Sequence, residues 1–477
     1  MQFQTNLRKS IVVAALAVSI SSILPAHAAP SLLAIGSLGN STDFSTQTEL
    51  LENNVDHNNT FGGIGSGFAW AGGNSFIAVP DRGPNATAWN VPLGDTTSYI
   101  SRAESIALNL VNTPSGGLPC TLTPSLTATT LFYSPTALNY AAPNANNNNI
   151  SGAPVGNTTG INYFTGRSDN FSGTGSTNPL NARLDPEGVR VSNDGTKLYV
   201  SDEYGPYVYE FDRATGARTR AFTIPANLAV AVLGGTTGSE GKPTNTTGRV
   251  ANKGMEGLAI TPDGTTLVGI MQAPLLQDKN NYLRIVTFDI ASGNYTHEYS
   301  YQLTTGSGVS EIVALNNHEF LVDERDGAGL GGGGNAVVKQ IFKIDLNGAT
   351  DVTNTAVLQT GSPFVAKTAF VDLVSLLTGA GITAANIPSK IEGLAFGTDI
   401  TVGSTVNHTL YVTNDNDFVP GTSGPNNFYV VGFTDADLGG STFTPQAIVP
   451  EPGSAALLGA GALGLLGFRR RTVAPRN

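Results

Sequence analysis

The sequence predicts an all-β protein folded as a β-propeller of four-stranded antiparallel blades, six by preference, with five or seven also admitted. Three observations predict it. A strand-turn-strand unit recurs along the chain, tight-turn dipeptides stand at matching places in its copies, and two further strands follow a unit before the next begins.

The unit is clearest in "DPEGVRVSNDGTKLYVSDEYG" from Asp185 and "GMEGLAITPDGTTLVGIMQ" from Gly254. It returns in "VSEIVALNNHEFLVDERDG" from Val309, and in "KIEGLAFG" through "TLYVTNDNDF" from Lys390. A more distant relative, "GIGSGFAWAGGNSFIAVPDRG", starts at Gly63. Each copy opens with a small or acidic pair, runs through a short apolar strand, turns, and returns in a second strand that ends in a polar or acidic cluster. Asp194-Gly195 and Asp263-Gly264 supply the positive φ angles of tight hairpins. The copy at Asp185 continues with "YVYEFDR" and "RTRAFTIP", and the copy at Gly254 with "YLRIVTFDI" and "THEYSYQL". The interval between the first two copies is about twice the others, so a divergent blade is expected between Asn90 and Leu184. Within that interval the Gly/Asn/Thr-rich stretch 141–181 reads as a surface insertion. The best helix candidate is "AFVDLVSLLTGAG" from Ala369.

In a propeller the first strand of every blade lines the central channel. Glu187, Glu256, Glu311 and Glu392, each at the start of such a strand, are therefore expected to converge at one mouth. The second clusters add Asp81, Asp202, Glu203, Glu324, Asp326, Asp415 and Asp417, with Arg82, Arg183, Lys253 and Arg325 among them. Carboxylates gathered in one place repel unless a positive charge sits between them. Calcium accepts several oxygen ligands in flexible geometry and needs no thiolate or imidazole. Acidic residues beside glycine also cap turns by accepting backbone amides; recurrence at one register is what favours a shared site. Glu187, Asp202, Glu203, Glu256, Glu311, Glu324, Asp326, Glu392, Asp415 and Asp417 are the candidate metal ligands. Glu187, Glu256, Arg82, Arg183 and Arg325 are the candidate catalytic residues, the arginines stabilising oxyanion charge.

Five motifs in order carry a resemblance: R-x-D-P-E-G at 183–188, S-D-E-Y-G-P at 201–206, G-x-E-G-L-A-x-T-P-D-G at 254–264, E-R-D at 324–326 and x-D-N-D-F at 414–418. Together they resemble the phytase-like esterase family over about residues 61–433. The resemblance implies an exported bacterial propeller with esterase activity and a likeness to calcium-dependent propeller phytases. This chain departs from the repeated Glu-Gly pair at Ser66 and at Ser310-Glu311, which predicts an incomplete ring of channel glutamates. The expected function is calcium-dependent hydrolysis of phosphate or carboxylate esters, with an anionic ester as substrate. The alternative is a non-catalytic surface propeller, rigidified by calcium, that binds matrix polysaccharide or protein; a lactonase-type propeller is a third reading.

Other chemistries find no support. "GAGLGGGG" is followed by "NAVVKQIFKIDL", a strand rather than the helix a pyrophosphate site requires, so it reads as a loop. There is no G-x-S-x-G elbow, and outside the leader His57, His297, His318 and His408 occupy no recurring channel position. Lone Cys120 excludes an internal disulfide. The formal net charge of −11 disfavours nucleic acid and attracts divalent cations.

The two ends read as address signals. Arg8 and Lys9 precede an apolar run from Ile11 to Ile20, and "AHA" at 26–28 offers a small-residue cleavage site, so residues 1–28 are expected to be a signal peptide and 29–448 the propeller domain. At 449–477, Pro450-Glu451-Pro452, a short Ala/Leu/Gly stretch and Arg469, Arg470 and Arg471 follow in order. That order resembles a PEP-CTERM sorting signal, which implies recognition by an exosortase after passage through the export machinery. The apolar stretch is short of the ~20 residues of a comfortable span, so it predicts transient membrane anchoring, on the way to the cell surface or extracellular matrix.

Overall fold

The computed structural model describes residues 29–84, 96–140, 153–167, 175–233, 244–279 and 281–449. The first strand, β1 (Ser31–Leu38), belongs to the last blade. Blade 1 is β2 (Gly67–Trp70), β3 (Ser75–Val79), β4 (Arg102–Val111) and β5 (Thr121–Leu131), and a short ribbon of β6 (Tyr133–Ser134) and β7 (Asn162–Tyr163) follows it. Blade 2 is β8 (Pro186–Val191), β9 (Lys197–Asp202), β10 (Val208–Asp212) and β11 (Arg218–Ala221). Blade 3 comprises β12 (Met255–Ile260), β13 (Thr266–Met271), β14 (Tyr282–Asp289) and β15 (Asn294–Gln302). Blade 4 comprises β16 (Gly308–Ala314), β17 (Glu319–Arg325), β18 (Lys339–Asp345) and β19 (Lys367–Asp372). In blade 5, β20 (Ile391–Phe396), β22 (Thr405–Asn414) and β23 (Asn426–Phe433) are joined by β1 at the outer edge, and the short β21 (Ile400–Val402) pairs with β22.

The innermost strands close a ring: β2 packs on β8 and β20, β12 on β8 and β16, and β16 on β20. The propeller therefore has five blades, one of the counts the repeat allowed. The blade expected between Asn90 and Leu184 is not formed by the described residues there. That stretch instead supplies β4 and β5, which complete blade 1, and the ribbon. The described part of 141–181 is not all surface, because Phe164 is fully buried and its ring lies 5.5 Å from Tyr209 and 5.9 Å from Phe211. The expected helix begins late. Lys367–Asp372 is strand, and Asp372 then caps α1 (Leu373–Gly379) by accepting from the Val374 and Ser375 amides.

Each space between neighbouring blades holds its own apolar cluster. Val79 and Ala103 meet Val189 and Val200 between blades 1 and 2; Tyr199 and Val208 meet Leu258 and Val286 between 2 and 3. Ile270 and Leu283 meet Ile312 and Val322 between blades 3 and 4, Leu321 and Ile341 meet Leu394 and Val412 between 4 and 5, and Val430 and Tyr411 meet Phe68 and Phe76 between 5 and 1. Strands are thus covered on both faces, which is why "SFIAV" and "TLVGIM" read as apolar runs rather than alternating patterns. Each large side chain sealed in such a layer contributes roughly 1.5–3 kcal/mol. Closure joins the two ends of the domain, β1 pairing antiparallel with β23 from Ser31↔Gly432 to Leu38↔Asn426.

Glycine decides how closely the inner strands approach. A Cβ at Gly188 would stand 2.8 Å from the Leu258 amide nitrogen, one at Gly257 2.8 Å from that of Ile312, one at Gly67 3.0 Å from the Glu187 carbonyl, and one at Gly393 2.9 Å from the Gly65 carbonyl. These neighbours are main chain in a closed ring and cannot yield. Gly257→Ala is accordingly expected to lower the denaturant-unfolding free energy by about 1–3 kcal/mol. Gly39→Ala, at an open position with nothing within 4 Å, is expected to change it by less than about 0.5 kcal/mol.

Candidate functional site

The pairing of first and second strands skips one residue near the start of four blades: between Pro186 and Gly188, Met255 and Gly257, Val309 and Glu311, and Ile391 and Leu394. Such a bulge re-aims a side chain. The residues at the bulge are Glu187, Glu256, Ser310 and Glu392, while blade 1 has Ser66 just before β2. Blade 4 therefore differs from the expected register. Glu311 stands where other copies carry glycine and points elsewhere, accepting from the Leu258 and Ile312 amides at 3.1 and 2.9 Å and facing Arg190 at 3.1 Å. Arg190 also donates to the carbonyls of Phe68, Val189 and Ile312, so the pair ties β2, β8, β12 and β16 together inside the channel.

A second ring comes from the residues that follow the second strands. Backbone bonds from Glu203 to Asp185, Gln272 to Gly254 and Asp415 to Lys390, each 3.0 Å, fix them at one level, with Arg325 opposite Gly308 and Asp81 after β3. The mouth thus collects Glu187, Glu256, Glu392, Asp81, Glu203, Asp415, Asp185 and Asp417, against the cations Arg82, Arg325 and Lys390.

The charges are unevenly distributed. On the side of blades 4 and 5, Arg325 donates to Ser310 Oγ at 2.6 Å and pairs with Glu392. Burial works against its charge, but Glu392, Glu256, Asp323 and Asp415 raise its pKa. Lys390 Nζ lies 2.7 Å from Asp415 and 2.5 Å from Asp417; against burial, Asp415, Glu392, Asp417 and Asp81 hold it well above the usual lysine value. Asp81, Asp415 and Asp417 bring oxygens within 4.8 Å of one another, and the Lys390 ammonium already serves that group. Burial carries Asp81 up to about 6, despite the Lys390 charge.

The side of blade 2 is different. Asp185, Glu187 and Glu203 also bring oxygens within 4.8 Å of one another, all three residues being buried. Arg82 stands on that side, 3.4 Å from Asp185 and also bonded to Asn252. Burial, then the charges of Glu256, Asp185, Glu203 and Glu392, push Glu187 well above the ordinary carboxylate range. Burial and the charges of Glu203 and Glu392 do the same to Glu256, against Arg325 and Gln272. Gln272 donates to Glu256 Oε1 at 2.5 Å, whereas buried Oε2 has no hydrogen-bond partner. Three buried carboxylates form an all-oxygen donor set that fits a hard dication, and the Oε2 of Glu256, a further carboxylate of the same mouth, has no hydrogen-bond partner.

The family described as esterase-like activity of phytase matches residues 59–418. The chain belongs to this phytase-like family. The matched stretch of the phytase-like domain runs from just before β2 to just past Asp417 and so contains every mouth residue. A PEP-CTERM protein-sorting motif matches residues 449–471. An uncharacterized secreted protein of Arthroderma benhamiae is 31% identical over 305 residues, which cover 55% of each chain; the chain thus spans about half the length of that relative. Among solved structures, Myxococcus xanthus glutaminyl cyclase is 9% identical with a TM-score of 0.32, over 84% of this chain and 98% of that one. The PQQ-bound aldose sugar dehydrogenase of Streptomyces coelicolor is 10% identical with a TM-score of 0.31, over 85% and 95%.

Within the phytase-like domain the remaining expected ligands lie apart from the mouth groups. Asp202 accepts from the Asp185 and Gly205 amides at 2.7 and 2.5 Å and so caps the turn beneath its neighbours; burial carries it to about 7. Glu324 is taken up by Lys367, Tyr301 and the amides of Thr304, Thr305 and Gly306. Asp326 pairs with Lys339 at 2.6 Å and accepts from the Val337 and Val338 amides. Arg183 reaches Thr165 Oγ1 at 3.2 Å and the Tyr140 carbonyl at 3.3 Å. Sequence reasoning missed Asp185, Gln272 and Lys390 as mouth residues. All three stand in columns shared by the copies, and comparing those columns, rather than looking for repeated acids, would have marked them.

Asp323 lies below the mouth, fully buried, and neither carboxylate oxygen has a hydrogen-bond partner. Burial raises it to about 7, with Arg325 and Lys339 opposing. A carboxyl raised in the folded state contributes stability that is complete below its unfolded value near 4 and is lost as pH rises through about 7. Asp323→Asn is therefore expected to flatten the fall in unfolding free energy between pH 5 and pH 7.5, by up to about 1.4 kcal/mol per pH unit. Denaturant titrations of both proteins across that range measure it.

Proposed function

We propose that the chain is an exported hydrolase of phosphate or carboxylate esters that works with calcium held at the blade-2 side of the mouth. The observation that carries this reading is the buried group Asp185, Glu187 and Glu203, with the unpartnered Oε2 of Glu256 beside it. The first three residues would hold the ion, which when bound supplies positive charge to seat and polarise an anionic ester.

The other groups have roles set by their surroundings. Arg82 is part exposed at the rim, its side chain 18% accessible, and engages an incoming anionic oxygen. Arg325 sits deeper, fixed by Ser310 and Glu392, and opposes negative charge that develops on the reacting group. Glu256, raised above the usual carboxylate range, accepts the proton of an attacking water through Oε2. The sorting motif supports export, exosortase recognition and transient membrane anchoring on the way to the cell surface.

One observation favours a second reading, a surface propeller binding polysaccharide or protein, in which calcium only stiffens the ring. Glu187 is 7% exposed and Asp185 1%, burial typical of a structural ion. A hydrolysis screen against p-nitrophenyl phosphate, p-nitrophenyl esters and phytate, with calcium and with chelator, separates the two. The hydrolase reading expects calcium-dependent turnover that falls at least 100-fold in Glu256→Gln. Glu187→Gln is expected to weaken calcium binding at least tenfold by titration calorimetry. It should also reduce the calcium-induced rise in unfolding free energy, which for an intact site reaches about 2.7 kcal/mol at 100 times Kd. Calcium stabilisation without hydrolysis of any substrate favours the second reading; no calcium binding removes both.

A further inference from the structure

The end of the channel opposite the carboxylates is covered by the chain itself. After β23, residues 443–449 cross beneath the inner strands as a strap. Phe443 packs at 4.5 Å from Phe396 and 4.9 Å from His408 on blade 5. The Thr444 amide donates to the Leu315 carbonyl at 2.8 Å, just past β16. Gln446 Nε2 donates to the Val191 carbonyl and Asn193 Oδ1 at 2.8 and 2.7 Å, and the Val449 amide to the Asn193 carbonyl at 2.9 Å. Ile448 is buried in the layer between blades 1 and 2. The strap is thus fixed on blades 5, 4 and 2 in turn, and with Trp70, Ile260, Ala314 and Phe396 it lines a mainly apolar cavity at the channel floor.

The inner strands β8, β12 and β20 start at the mouth and end at this floor, and six residues at ~3.3 Å each separate the two by about 20 Å. Val449, the last of the described residues and hydrogen-bonded to the propeller, is also the first of the matched sorting motif. Five residues, 450–454, separate it from the apolar run that begins at Ala455. Even fully extended they span about 20 Å.

We infer that the strap face is the membrane-facing surface of the anchored protein and that the carboxylate mouth is held away from the bilayer. Because the five-residue link is no longer than the channel, the strap turns an attachment into an orientation. It also makes the channel blind at the membrane side, so solutes reach the carboxylates from the opposite, outward side. The inference does not depend on whether the mouth is catalytic.

The test uses the full chain bound to phosphatidylcholine vesicles that contain a rhodamine-headgroup lipid as energy acceptor. Cys120 is buried, 1% exposed, and the folded parent checks that it does not react with the donor dye. One variant, Asn317→Cys, carries the dye on the turn after β16, at the strap face; another, Val55→Cys, carries it on the loop before β2, at the mouth face, where Val55 is 75% exposed. The expected result is energy transfer to the lipid at least twofold more efficient from position 317 than from position 55. Phe443→Ala with Gln446→Ala, or a Gly-Ser spacer of about 20 residues inserted after Val449 should the first variant misfold, is expected to bring the two efficiencies together, because such a spacer reaches about 25 Å. Equal transfer in the parent, greater transfer from position 55, no effect of either strap change, or failure of the full chain to bind vesicles each overturns the inference.

Discussion

The ring of inner strands depends on close approach between main chains. Four of the five inner strands carry a glycine whose missing Cβ is replaced by the backbone of the next strand, and that approach sets how near the starts of these strands lie at the mouth. The ladder between first and second strands gives way by one residue at the start of blades 2, 3, 4 and 5, whereas blade 1 keeps an unbroken ladder from Gly67↔Val79 onward. The extra residue immediately precedes the glycine in blades 2, 3 and 5, and there it is glutamate. In blades 2, 3 and 5 the Glu-Gly pair combines two local features: glycine permits the approach, and the bulge beside it re-aims the glutamate.

Electrostatics then divides the mouth. Burial, and then the charge of neighbouring carboxylates, raises the pKa of Glu187 and Glu256 where backbone geometry gathers the acids. Blades 4 and 5 relieve that charge internally, with Arg325 in the column that holds Glu203 and Gln272 in blades 2 and 3, and Lys390 in the column that holds Asp185 and Gly254. Blade 2 has an acid in both columns. The resulting asymmetry follows from two columns of the repeat, and it distinguishes a group served by a lysine from one whose acids stand in both columns, with Arg82 beside Asp185.

Much of this was legible in the sequence, because a short backbone requirement leaves a short residue signature. The Asp-Gly turns, the Glu-Gly pairs and the four-strand spacing all reflect local geometry, and they marked the blades, the inner strands and three of the mouth glutamates. The blade count was not legible. A long connection between β3 and β4, and another before β8, separate blade 1 from blade 2 by the length of a missing blade, and spacing cannot tell an elongated blade from an additional one. Glu311 was misplaced because a serine ahead of it moves it from the bulge to the glycine position, one residue along and on another face. Glu324 and Asp326 were drawn in as part of the acidic cluster that ends a second strand, yet strand alternation and their lysine partners Lys367 and Lys339 take them away from the mouth. Lys390 was overlooked because it supplies the opposite charge in a column scanned for acids.

The ends of the propeller domain serve the site from a distance. β1 and β23 lie outside the family-matched stretch, yet their pairing closes the ring on which the inner-strand contact depends. Below the mouth, Arg190 and Glu311 join four inner strands through one buried pair. Such a pair contributes little net stability against an apolar alternative, because desolvation offsets its attraction, but leaving either partner alone is costly. That penalty falls on any arrangement in which blades 2 and 4 fail to face each other across the channel. The pair therefore favours the single ring geometry that also sets the spacing of the carboxylates above it.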